Sequence, residues 1–501
     1  MENIKHPKKV ICVLSDTKTP NASGYAINLA VALARVAKDK VLFVDMVRPC
    51  GYRLSLDTGI DFLKPERVKR EDIDDAKKDY PYIVINLSLG TDLIYELEGS
   101  FDSIHFFVES TKDSLSGAHR FLEVLLEKGA EGIREKIKIV VYRLNIFDRF
   151  SVEDMSWLLR RNVWALVPEA GTLEPLIDAE GLPIVLKSQD LEHSKAILQI
   201  AKREAGKLLG LALGSGAAFG LAHIGVLRVL EKNRIPIDII SASSIGALIA
   251  SMWGLGFSSD KIERIARKLR SRLNVMRLLD FSIPVSGILT GRRMKRFLRS
   301  ILREKTFEDL KIPVKIMVYD LANRETLVME KGLLVEAVYM SISVPGIFKP
   351  KIGQGRMIVD GGVSDPVPVD ALLKHGVKKI IAVNVMPGPE DVHERNMALK
   401  KRIEGEKNLM SSAPFYVKVQ LYVKGLLRKV FTPNIFDVIM TSMQSMEYML
   451  AENSCKKADI TLRPVFADAS SIDFHRVKHF VKRGEGEALA NIEDIKNLIE
   501  S

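Results

Sequence analysis

Short apolar runs that alternate with amphipathic segments constrain the fold of this chain more than any other feature of its sequence. The runs of the first series are rich in β-branched residues and predict strands. Helical patterns such as residues 25–37 and 113–127 lie between them. This alternation is typical of a parallel sheet with helices on both faces. The predicted strands are residues 10–14, 41–45, 82–87, 105–108 and 137–144.

A second series of strands and helices follows without a flexible linker. The helical stretch at residues 194–209 is predicted to end the first domain and to lead into the second. A chain of 501 residues is longer than one hydrophobic core usually serves. We therefore predict an α/β protein of two α/β/α domains, residues 1–206 and 207–501. The predicted strands of the second series include residues 209–213, 314–319 and 379–385.

Charge and cysteine content narrow the class of protein. The chain has 74 Lys and Arg against 63 Asp and Glu, a net charge of +11, which favours anionic partners. No nucleic-acid-binding signature accompanies the charge, so we expect no nucleic acid partner and favour peripheral contact with an anionic membrane. Cys12, Cys50 and Cys455 have no metal or redox spacing, which fits a reducing compartment, and we expect a cytoplasmic protein. We also expect no metal and no cofactor.

Two further segments bear on location. Residues 1–9 are polar and basic and do not form the apolar core of a signal peptide. The longest apolar run, residues 237–257, contains a charged residue and is interpreted as a buried strand–turn–helix, not a membrane span.

That strand–turn–helix has the layout of a nucleophile elbow. An apolar strand ends in Ala242-Ser243-Ser244-Ile245-Gly246, and a helix of small and apolar residues begins there. Such a sharp turn exposes one hydroxyl at a helix N-terminus, where the helix dipole favours developing negative charge. Small neighbours are needed because bulky side chains would clash inside the turn. Ser244 is therefore a candidate nucleophile, and a tight structural turn is the alternative.

A glycine-rich loop precedes the serine motif and follows the predicted strand at residues 209–213. It reads Gly214-Ser215-Gly216-Ala217-Ala218-Phe219-Gly220. Gly and Ala let the backbone turn outward and present its N–H groups to an oxyanion. A dinucleotide-binding loop or a plain strand–helix turn would show a similar pattern. The serine turn, not an acidic strand end, follows about 25 residues later, which argues against the dinucleotide interpretation.

A carboxylate opens the third motif, Asp360-Gly361-Gly362, at the end of a predicted strand. An aspartate with an ordinary pKa near 4 is a poor base for an alcohol in water. In a dry cleft, hydrogen-bonded to a serine hydroxyl, it can accept that proton. Asp-Gly is also a common turn, so a structural role is the alternative. None of the nine histidines occupies a recognisable triad position, and His223 is interpreted as a packed helix residue.

The three motifs, in this order, resemble the patatin-like phospholipase family over residues 207–465. Residues 287–291, 306–313 and 341–348 also match the family's pattern, and residues 434–440 are similar to its bacterial and neuropathy-target-esterase-like branch. The resemblance implies an α/β/α fold and hydrolysis of lipid acyl esters by a Ser–Asp dyad through an acyl-enzyme.

The resemblance also implies roles for individual residues. Ser244 would be the nucleophile and Asp360 the base that takes its proton. The amides implied as the oxyanion hole are those of Ser215, Gly216, Ala217 and Ala218. The surrounding motif positions are Gly214, Gly220, Ala242, Gly246, Gly361 and Gly362.

Four positions depart from the family's pattern. Ser215 and Ala217 stand where glycines are usual, Ala242 replaces the first glycine of the elbow, and Phe219 takes a basic position. These replacements leave the backbone N–H donors in place, so they are compatible with catalysis. Loss of the basic side chain would weaken ordering of the loop or recognition of a phosphate headgroup, so the reaction type is better defined than the substrate.

Residues 8–205 resemble the ParA/MinD family of deviant Walker ATPases. The helix at 26–30 and the strands at 40–45 and 80–86 match the family's pattern, but the phosphate-binding loop at 15–24 does not. Lysines of that loop are replaced by Thr17 and Ala22, Pro20 removes one N–H donor, and Asn86 occupies the acidic Walker B position.

These replacements leave the phosphates and Mg²⁺ of a nucleotide with few partners. We therefore predict a degenerate, non-hydrolysing scaffold in the first domain. The alternative is weak nucleotide binding, with Lys18 compensating in part, that gates the hydrolase.

Residues 400–431 interleave lysines and arginines with apolar residues. They predict either a helix that lies on anionic lipid or an ordinary amphipathic cover over the core. For the whole chain we predict a lipid acyl hydrolase, with a non-catalytic scaffold that binds a membrane or a partner as the alternative. No oligomeric state is assigned.

Overall fold

The chain divides into two compact units, Met1–Lys207 and Leu208–Ser501. The structure, a computed structural model, describes residues 8–15, 20–47, 58–89, 92–128, 132–144, 150–171, 175–269, 280, 289–412, 435–465 and 469–500. Each unit has its own sheet and its own hydrophobic clusters.

A seven-stranded parallel sheet forms the centre of the first unit. Its strands are β1 (Lys9–Ser15), β2 (Val41–Asp45), β3 (Asp61–Leu63), β4 (Tyr82–Ser88), β5 (Ser103–Glu109), β6 (Ile137–Arg143) and β7 (Val163–Pro168). They lie in the order β3-β2-β4-β1-β5-β6-β7, and every pair is parallel. All five strands predicted in the first series are confirmed, and the sequence analysis missed β3 and β7.

Helices cover both faces of this sheet. They are α1 (Pro20–Ala37), α2 (Arg70–Asp79), α3 (Leu93–Leu97), α4 (Lys112–Lys128), α5 (Ile133–Lys136), α6 (Val152–Leu159), α7 (Ile184–Lys187) and α8 (Glu192–Ala205). Alternate residues of β1 enter different clusters, with Val10 and Leu14 on one face and Ile11 and Val13 on the other. This two-sided burial explains why β1 is apolar at every position from Val10 to Leu14.

The helix predicted over residues 194–209 ends earlier than expected. α8 stops at Ala205 because Gly206 adopts a left-handed conformation, with φ of +67°. Glycine is favoured there because it has no Cβ to clash. The chain then enters the first strand of the second unit at Leu209.

The second unit contains an eight-stranded mixed sheet. Its strands are β8 (Leu209–Leu213), β9 (Ile239–Ser243), β10 (Val314–Asp320), β11 (Glu325–Met329), β12 (Lys351–Gly353), β13 (Arg356–Asp360), β14 (Lys379–Val383) and β15 (Ile460–Leu462). The order is β12-β13-β10-β9-β8-β14-β15, and β11 pairs with β10. The strands from β10 to β15 in this order are parallel, whereas β11, β12 and β13 pair antiparallel with their neighbours.

Two strands meet end to end along one edge of β10. Met317 pairs with Ser243 of β9, and the next residue, Val318, pairs with Asp360 of β13. β11 occupies the opposite edge of β10 at both positions. Because β9 runs parallel to β10 and β13 antiparallel, their C-terminal ends face each other at this point. The topology therefore brings together the residues that follow β9 and those that end β13.

The helices of the second unit surround this sheet. They are α9 (Ala222–Lys232), α10 (Ile245–Gly254), α11 (Ser259–Ala266), α12 (Arg292–Leu302), α13 (Leu334–Ser341), α14 (Val369–Lys374), α15 (Pro389–Ser412), α16 (Ile435–Cys455), α17 (Val477–Ala490) and α18 (Ile492–Glu500). Within the described ranges, none of the helices combines the length and the hydrophobicity that crossing a membrane requires. The basic segment predicted at 400–431 begins inside α15, and its residues 413–431 lie outside the described residues.

Candidate active site

Ser244 lies in a strained turn between β9 and α10. Its backbone has φ of +54° and ψ of −124°, a conformation that is costly for a residue with a Cβ. Its N–H group donates a hydrogen bond to Ser341 Oγ at 2.9 Å. Ser341 in turn donates its hydroxyl to the carbonyl oxygen of Met317 at 2.7 Å. The last residue of α13 therefore links the strained turn to β10.

The neighbours of Ser244 show why the turn needs small residues. A Cβ on Gly246 would lie 2.4 Å from the carbonyl oxygen of Leu213, so only glycine lets α10 approach β8 this closely. Ala242, in contrast, lies within β9 and is fully buried between β8 and β10. Its methyl group is accommodated in the sheet, although it stands at the position of the elbow's first glycine.

The Asp360 carboxylate contacts the Ser244 hydroxyl directly. Ser244 Oγ donates to Asp360 Oδ2 at 2.6 Å, and the Gly362 N–H donates to Asp360 Oδ1 at 2.7 Å. A third bond, from the Asp360 N–H to the Ser343 carbonyl at 3.0 Å, fixes the backbone. Only 6% of Ser244 and 3% of Asp360 is exposed to solvent. A Cβ on Gly361 would lie 2.3 Å from the Met317 carbonyl, which requires glycine there.

Burial changes the protonation of Asp360. It raises the pKa of this carboxyl from 3.8 to about 7, because the charged form loses its hydration. The hydrogen bonds from Ser244 and Gly362 favour the charged form and offset part of that effect. A carboxylate with a pKa near neutrality is a stronger base than one in water, and its hydrogen bond to Ser244 Oγ places it to accept that proton.

A second carboxylic acid, which the sequence analysis missed, lies within electrostatic reach of the Asp360 carboxylate. Glu447 lies on α16, which contacts the turn Gly361–Val363 directly after Asp360. Burial, and then the negative charge of Asp360, raise the pKa of Glu447 to about 8. No sequence motif marks this glutamate, because its position depends on how α16 packs.

The glycine-rich loop lies against both catalytic candidates. A Cβ on Gly220 would lie 2.1 Å from Ile245 Cγ2, directly after Ser244. A Cβ on Gly362 would lie 2.7 Å from Ser215 Oγ. Gly214, which begins the loop, donates its N–H to the Val383 carbonyl. The structure therefore brings the three predicted motifs together in one place.

The four predicted oxyanion amides are not equivalent. The Ser215 N–H donates to the Pro366 carbonyl at 2.8 Å, and the Ala218 N–H donates to the Ser471 carbonyl at 3.0 Å. Among the described residues, the N–H groups of Gly216 and Ala217 have no such acceptor. Ala217 has φ of +50°, the left-handed region that explains why glycine is usual at this position. Two donors of the predicted four are thus engaged inside the protein.

The buried side chains of His223 and Phe219 hold the glycine-rich loop in place. His223 Nε2 donates to the Gly214 carbonyl at 2.8 Å, and burial lowers the pKa of its imidazole to about 4. This histidine is therefore a neutral, packed helix residue, as its sequence context predicts. The Phe219 ring packs edge-on against Phe480, with ring centres 5.6 Å apart. The family's basic position is occupied by a buried aromatic ring.

In the first unit, the structure describes two of the residues that depart from the ParA/MinD-like sequence pattern. Ala22 is buried. Asn86 donates its side-chain amide to Asp45 Oδ1 at 2.9 Å and to Ser23 Oγ at 3.0 Å. The predicted contributions of Thr17 and Lys18 lie outside the described residues.

Comparison with known proteins identifies the segment that carries the site. Residues 211–373 match the patatin-like phospholipase family model. Lysophospholipase NTE1 of Candida albicans is 32% identical over 190 residues, which are 38% of this chain and 14% of that protein. An uncharacterised NTE family protein of Mycobacterium tuberculosis is 34% identical over 177 residues, 35% of this chain and 49% of that protein. The chain thus spans less than half of each relative.

Solved structures are similar to parts of the chain. A ParA family ATPase from Chlorobium tepidum has a TM-score of 0.32 and 18% identity, and covers 39% of this chain and 98% of its own. MinD from Aquifex aeolicus has a TM-score of 0.33 and 21% identity, over 40% of this chain and 97% of its own. VipD from Legionella pneumophila has a TM-score of 0.29 and 12% identity, over 57% of this chain and 66% of its own.

Proposed function

We propose that the second unit hydrolyses lipid acyl esters through a covalent acyl-enzyme. The observation that carries this proposal is the 2.6 Å hydrogen bond from the Ser244 hydroxyl to the buried Asp360 carboxylate, at a strained strand-to-helix turn. A serine in this position needs a base within hydrogen-bond reach, and Asp360 supplies one without a histidine. The patatin-like phospholipase match over the same residues supports the substrate class.

In the acylation step, Asp360 accepts the proton of Ser244 Oγ while that oxygen attacks the ester carbonyl carbon. The N–H groups of Gly216 and Ala217, together with the N-terminus of α10, would stabilise the oxyanion of the tetrahedral intermediate. When the intermediate collapses, the carbon–oxygen bond to the alcohol breaks. Asp360 returns its proton to that leaving oxygen, and the acyl group remains on Ser244.

In the deacylation step, water replaces the alcohol beside Asp360. The carboxylate takes a proton from the water as its oxygen attacks the acyl carbon. When the second tetrahedral intermediate collapses, the bond between the acyl carbon and Ser244 Oγ breaks, the fatty acid leaves, and Asp360 returns its proton to Ser244 Oγ. Asp360 thus acts as base and acid in turn, which its pKa of about 7 permits near neutral pH.

The substrate class follows from the relatives and from the charge of the chain. The Candida relative is named a lysophospholipase, and we extend that substrate class to this protein as part of the proposal. The net charge of +11 is suited to work at an anionic membrane face in the cytoplasm. Phe219 provides no cation beside the loop, so a phosphate headgroup would have to be recognised elsewhere.

The test compares two adjacent serines. Ser244→Ala should abolish hydrolysis of a p-nitrophenyl acyl ester and of lysophosphatidylcholine, because it removes the attacking oxygen. Ser243→Ala is the matched control, since Ser243 Oγ is buried and has no hydrogen-bond partner among the described residues. We expect that variant to retain activity. Asp360→Asn should lower kcat by at least about a hundredfold, because it removes the base.

Covalent labelling separates this proposal from the scaffold alternative. A fluorophosphonate probe should label the wild type and the Ser243→Ala variant but not the Ser244→Ala variant. Equal labelling of all three, or labelling of none, would exclude Ser244 as the nucleophile. The second of these results would favour a non-catalytic scaffold.

For the first unit we propose a scaffold that does not hydrolyse nucleotide. The methyl of Ala22 and the amide of Asn86 supply neither the cation nor the carboxylate that such chemistry uses. Calorimetric titration of ATP, with and without Mg²⁺, should give no Mg²⁺-dependent binding. Saturable binding that requires Mg²⁺ and changes esterase rates would support the gating alternative instead.

A further inference from the structure

The second unit carries a strongly basic cavity that the proposed chemistry does not use. It lies between the end of α11, with the turn that follows, and the start of α17, with the turn that precedes it. Its volume is about 720 Å³. No acidic residue lines it among those that the structure describes. Its five cationic residues are Arg264, Arg267, Lys268, Arg476 and Lys478.

Nearby carboxylates neutralise only part of this charge. Glu263 forms ion pairs with Arg267 and with Arg228, so its charge is shared with a residue that does not line the cavity. Asp473 forms an ion pair with Arg476, with 3.9 Å between Asp473 Oδ2 and Arg476 Nη1.

Two histidines, His475 and His479, also line the cavity. Arg267 and Lys268 follow Arg264 by three and four residues, spacings at which like charges on a helix repel each other. Positive charge is therefore concentrated at the cavity although these side chains repel each other. A bound anion would remove that repulsion.

Phosphate is the anion that this set of donors suits best. Arginine presents a planar fork of N–H groups that binds two phosphate oxygens at once, and lysine adds a mobile point charge. Arg264 and Lys478 are exposed to solvent on the two segments that form the cavity. Both side chains line the cavity and are accessible to a phosphate bound in it.

An exposed isoleucine indicates where such a phosphate would come from. Ile472 lies on the segment that leads into α17, and 77% of it is exposed. Binding of a dissolved phosphate would not involve this apolar side chain. A membrane surface accepts both features, because cations bind at the level of the headgroups while apolar side chains enter the acyl boundary.

The same segment contacts the candidate active site. Ser471, directly before Ile472, accepts the hydrogen bond from the Ala218 N–H of the glycine-rich loop at 3.0 Å. A membrane that held Ile472 and the basic cavity would therefore lie close to the loop. This connection gives the cavity a role in bringing the ester of a lipid to Ser244. That role rests on the proposed function.

We propose that the basic cavity, with Ile472 on the adjoining segment, is a docking site for the phosphate headgroup of an anionic phospholipid at a membrane surface. The site binds a lipid that holds the enzyme in place, and it is separate from the place where an ester is cleaved.

The test measures vesicle binding of the full chain, with Ser244→Ala in every protein so that no lipid is consumed. Cosedimentation compares phosphatidylcholine vesicles with vesicles in which one fifth of the lipid is phosphatidic acid. The unaltered cavity should bind the acidic vesicles and leave the neutral ones in solution. Each cation at an anionic membrane surface strengthens binding by roughly fivefold. Arg264→Gln with Lys478→Gln should therefore weaken binding about twenty-five-fold.

A matched control removes the same charge elsewhere. Arg292→Gln with Arg296→Gln deletes two exposed arginines from α12. It should weaken binding by no more than roughly twofold, through the change in net charge alone. Equal losses in the two double variants would overturn the proposal, because binding would then follow total charge and not the cavity.

Two further measurements distinguish the source of the phosphate. Ile472→Ser should weaken vesicle binding, whereas Ile352→Ser, which alters an isoleucine that is 68% exposed on β12, should not. Calorimetric titration with tripolyphosphate measures binding of a dissolved anion to the same cavity. Cavity-dependent binding of tripolyphosphate, with no preference for phosphatidic acid vesicles, would identify a site for a dissolved anion and overturn the lipid proposal. Because these assays measure binding, loss of the proposed hydrolase activity would leave their outcome unchanged.

Discussion

At the scale of single residues, the pKa of Asp360 sets the pH dependence of the proposed reaction. Asp360 must be ionised to accept the Ser244 proton, and burial raises its pKa to about 7. We therefore expect kcat/KM to rise with pH up to about pH 7 and then to level. Initial rates on a soluble p-nitrophenyl ester across that range provide the measurement. A profile that is already level at about pH 5 would contradict the role of Asp360 as the base.

The same pKa shift has the opposite effect on stability. The folded pKa of about 7 lies above the unfolded value near 3.9, so the folded protein holds a proton that the unfolded chain releases. The associated stability is present below about pH 4 and is lost as pH rises towards 7, a change of about 4 kcal/mol. Asp360→Asn should therefore have a higher Tm than the wild type at about pH 8 and a similar Tm at about pH 4. An unchanged Tm difference between these pH values would contradict the shift.

Ser341 is the residue on which the strained turn depends. Ser341→Ala leaves the Ser244 N–H without its acceptor, and a buried unsatisfied donor costs about 1–3 kcal/mol. We expect lower stability and a kcat reduced roughly tenfold with little change in KM, since the turn positions the nucleophile. Ser343→Ala is the control, because the Ser343 hydroxyl bonds to Tyr339 in the preceding helical turn and, among the contacts described, not to the turn at Ser244. Equal loss of kcat in both variants would argue against this role.

At the scale of elements, two glycines let α9 and α17 pack at backbone distance. A Cβ on Gly225 would lie 2.0 Å from the Val481 carbonyl oxygen, and one on Gly484 would lie 1.9 Å from that of Ala222. Because α9 follows directly on the glycine-rich loop, this contact supports the site. Gly225→Ala or Gly484→Ala should destabilise the protein by about 3 kcal/mol or more, measured by urea denaturation.

A third glycine in α17 provides the comparison. A Cβ on Gly486 meets no atom within 4 Å, so Gly486→Ala adds no clash. Alanine is favoured over glycine in helices by about 1 kcal/mol, and this variant should be slightly more stable than the wild type. Destabilisation by Gly486→Ala as large as that of the other two would mean that helix packing is not the cause.

The elements that the sequence predicted correctly are those with a strong local signal. Long apolar runs such as β1 and β4 are buried on both faces, and their composition alone identifies them. β3 has only three residues, two of them exposed, so it carries no such pattern. The helix α8 ends where Gly206 turns left-handed, which propensity alone does not locate.

The residues of the site divide in the same way into those that a short sequence motif marks and those that only tertiary contacts bring to it. Ser244 and Asp360 stand in short motifs that the sequence displays, and their predicted proximity is observed. Ser341, Pro366 and Ser471 reach the site through tertiary contacts, and no local pattern marks them. The contacts of Pro366 and Ser471 also engage two of the four N–H groups predicted as oxyanion donors, a detail that only the folded backbone defines.

At the scale of the whole molecule, the hydrophobic clusters of each unit contain residues of that unit alone. Two clusters of buried side chains lie before Lys207, and the remaining ones begin at Leu208. We therefore expect residues 208–501, expressed alone, to unfold cooperatively and to hydrolyse a soluble p-nitrophenyl ester at a rate similar to that of the full chain. An aggregated or inactive fragment would show that the second unit needs the first.

The end-to-end meeting of β9 and β13 on β10 has a consequence for the order of folding. Ser244 and Asp360 are 116 residues apart in the chain, yet two consecutive residues of β10 set their separation. Contacts between such distant segments form late, because the loop between them must first lose its conformational entropy. A refolding chain that has regained its helices would therefore not yet hydrolyse a chromogenic ester. The return of activity would report the moment at which the two strand ends close on β10.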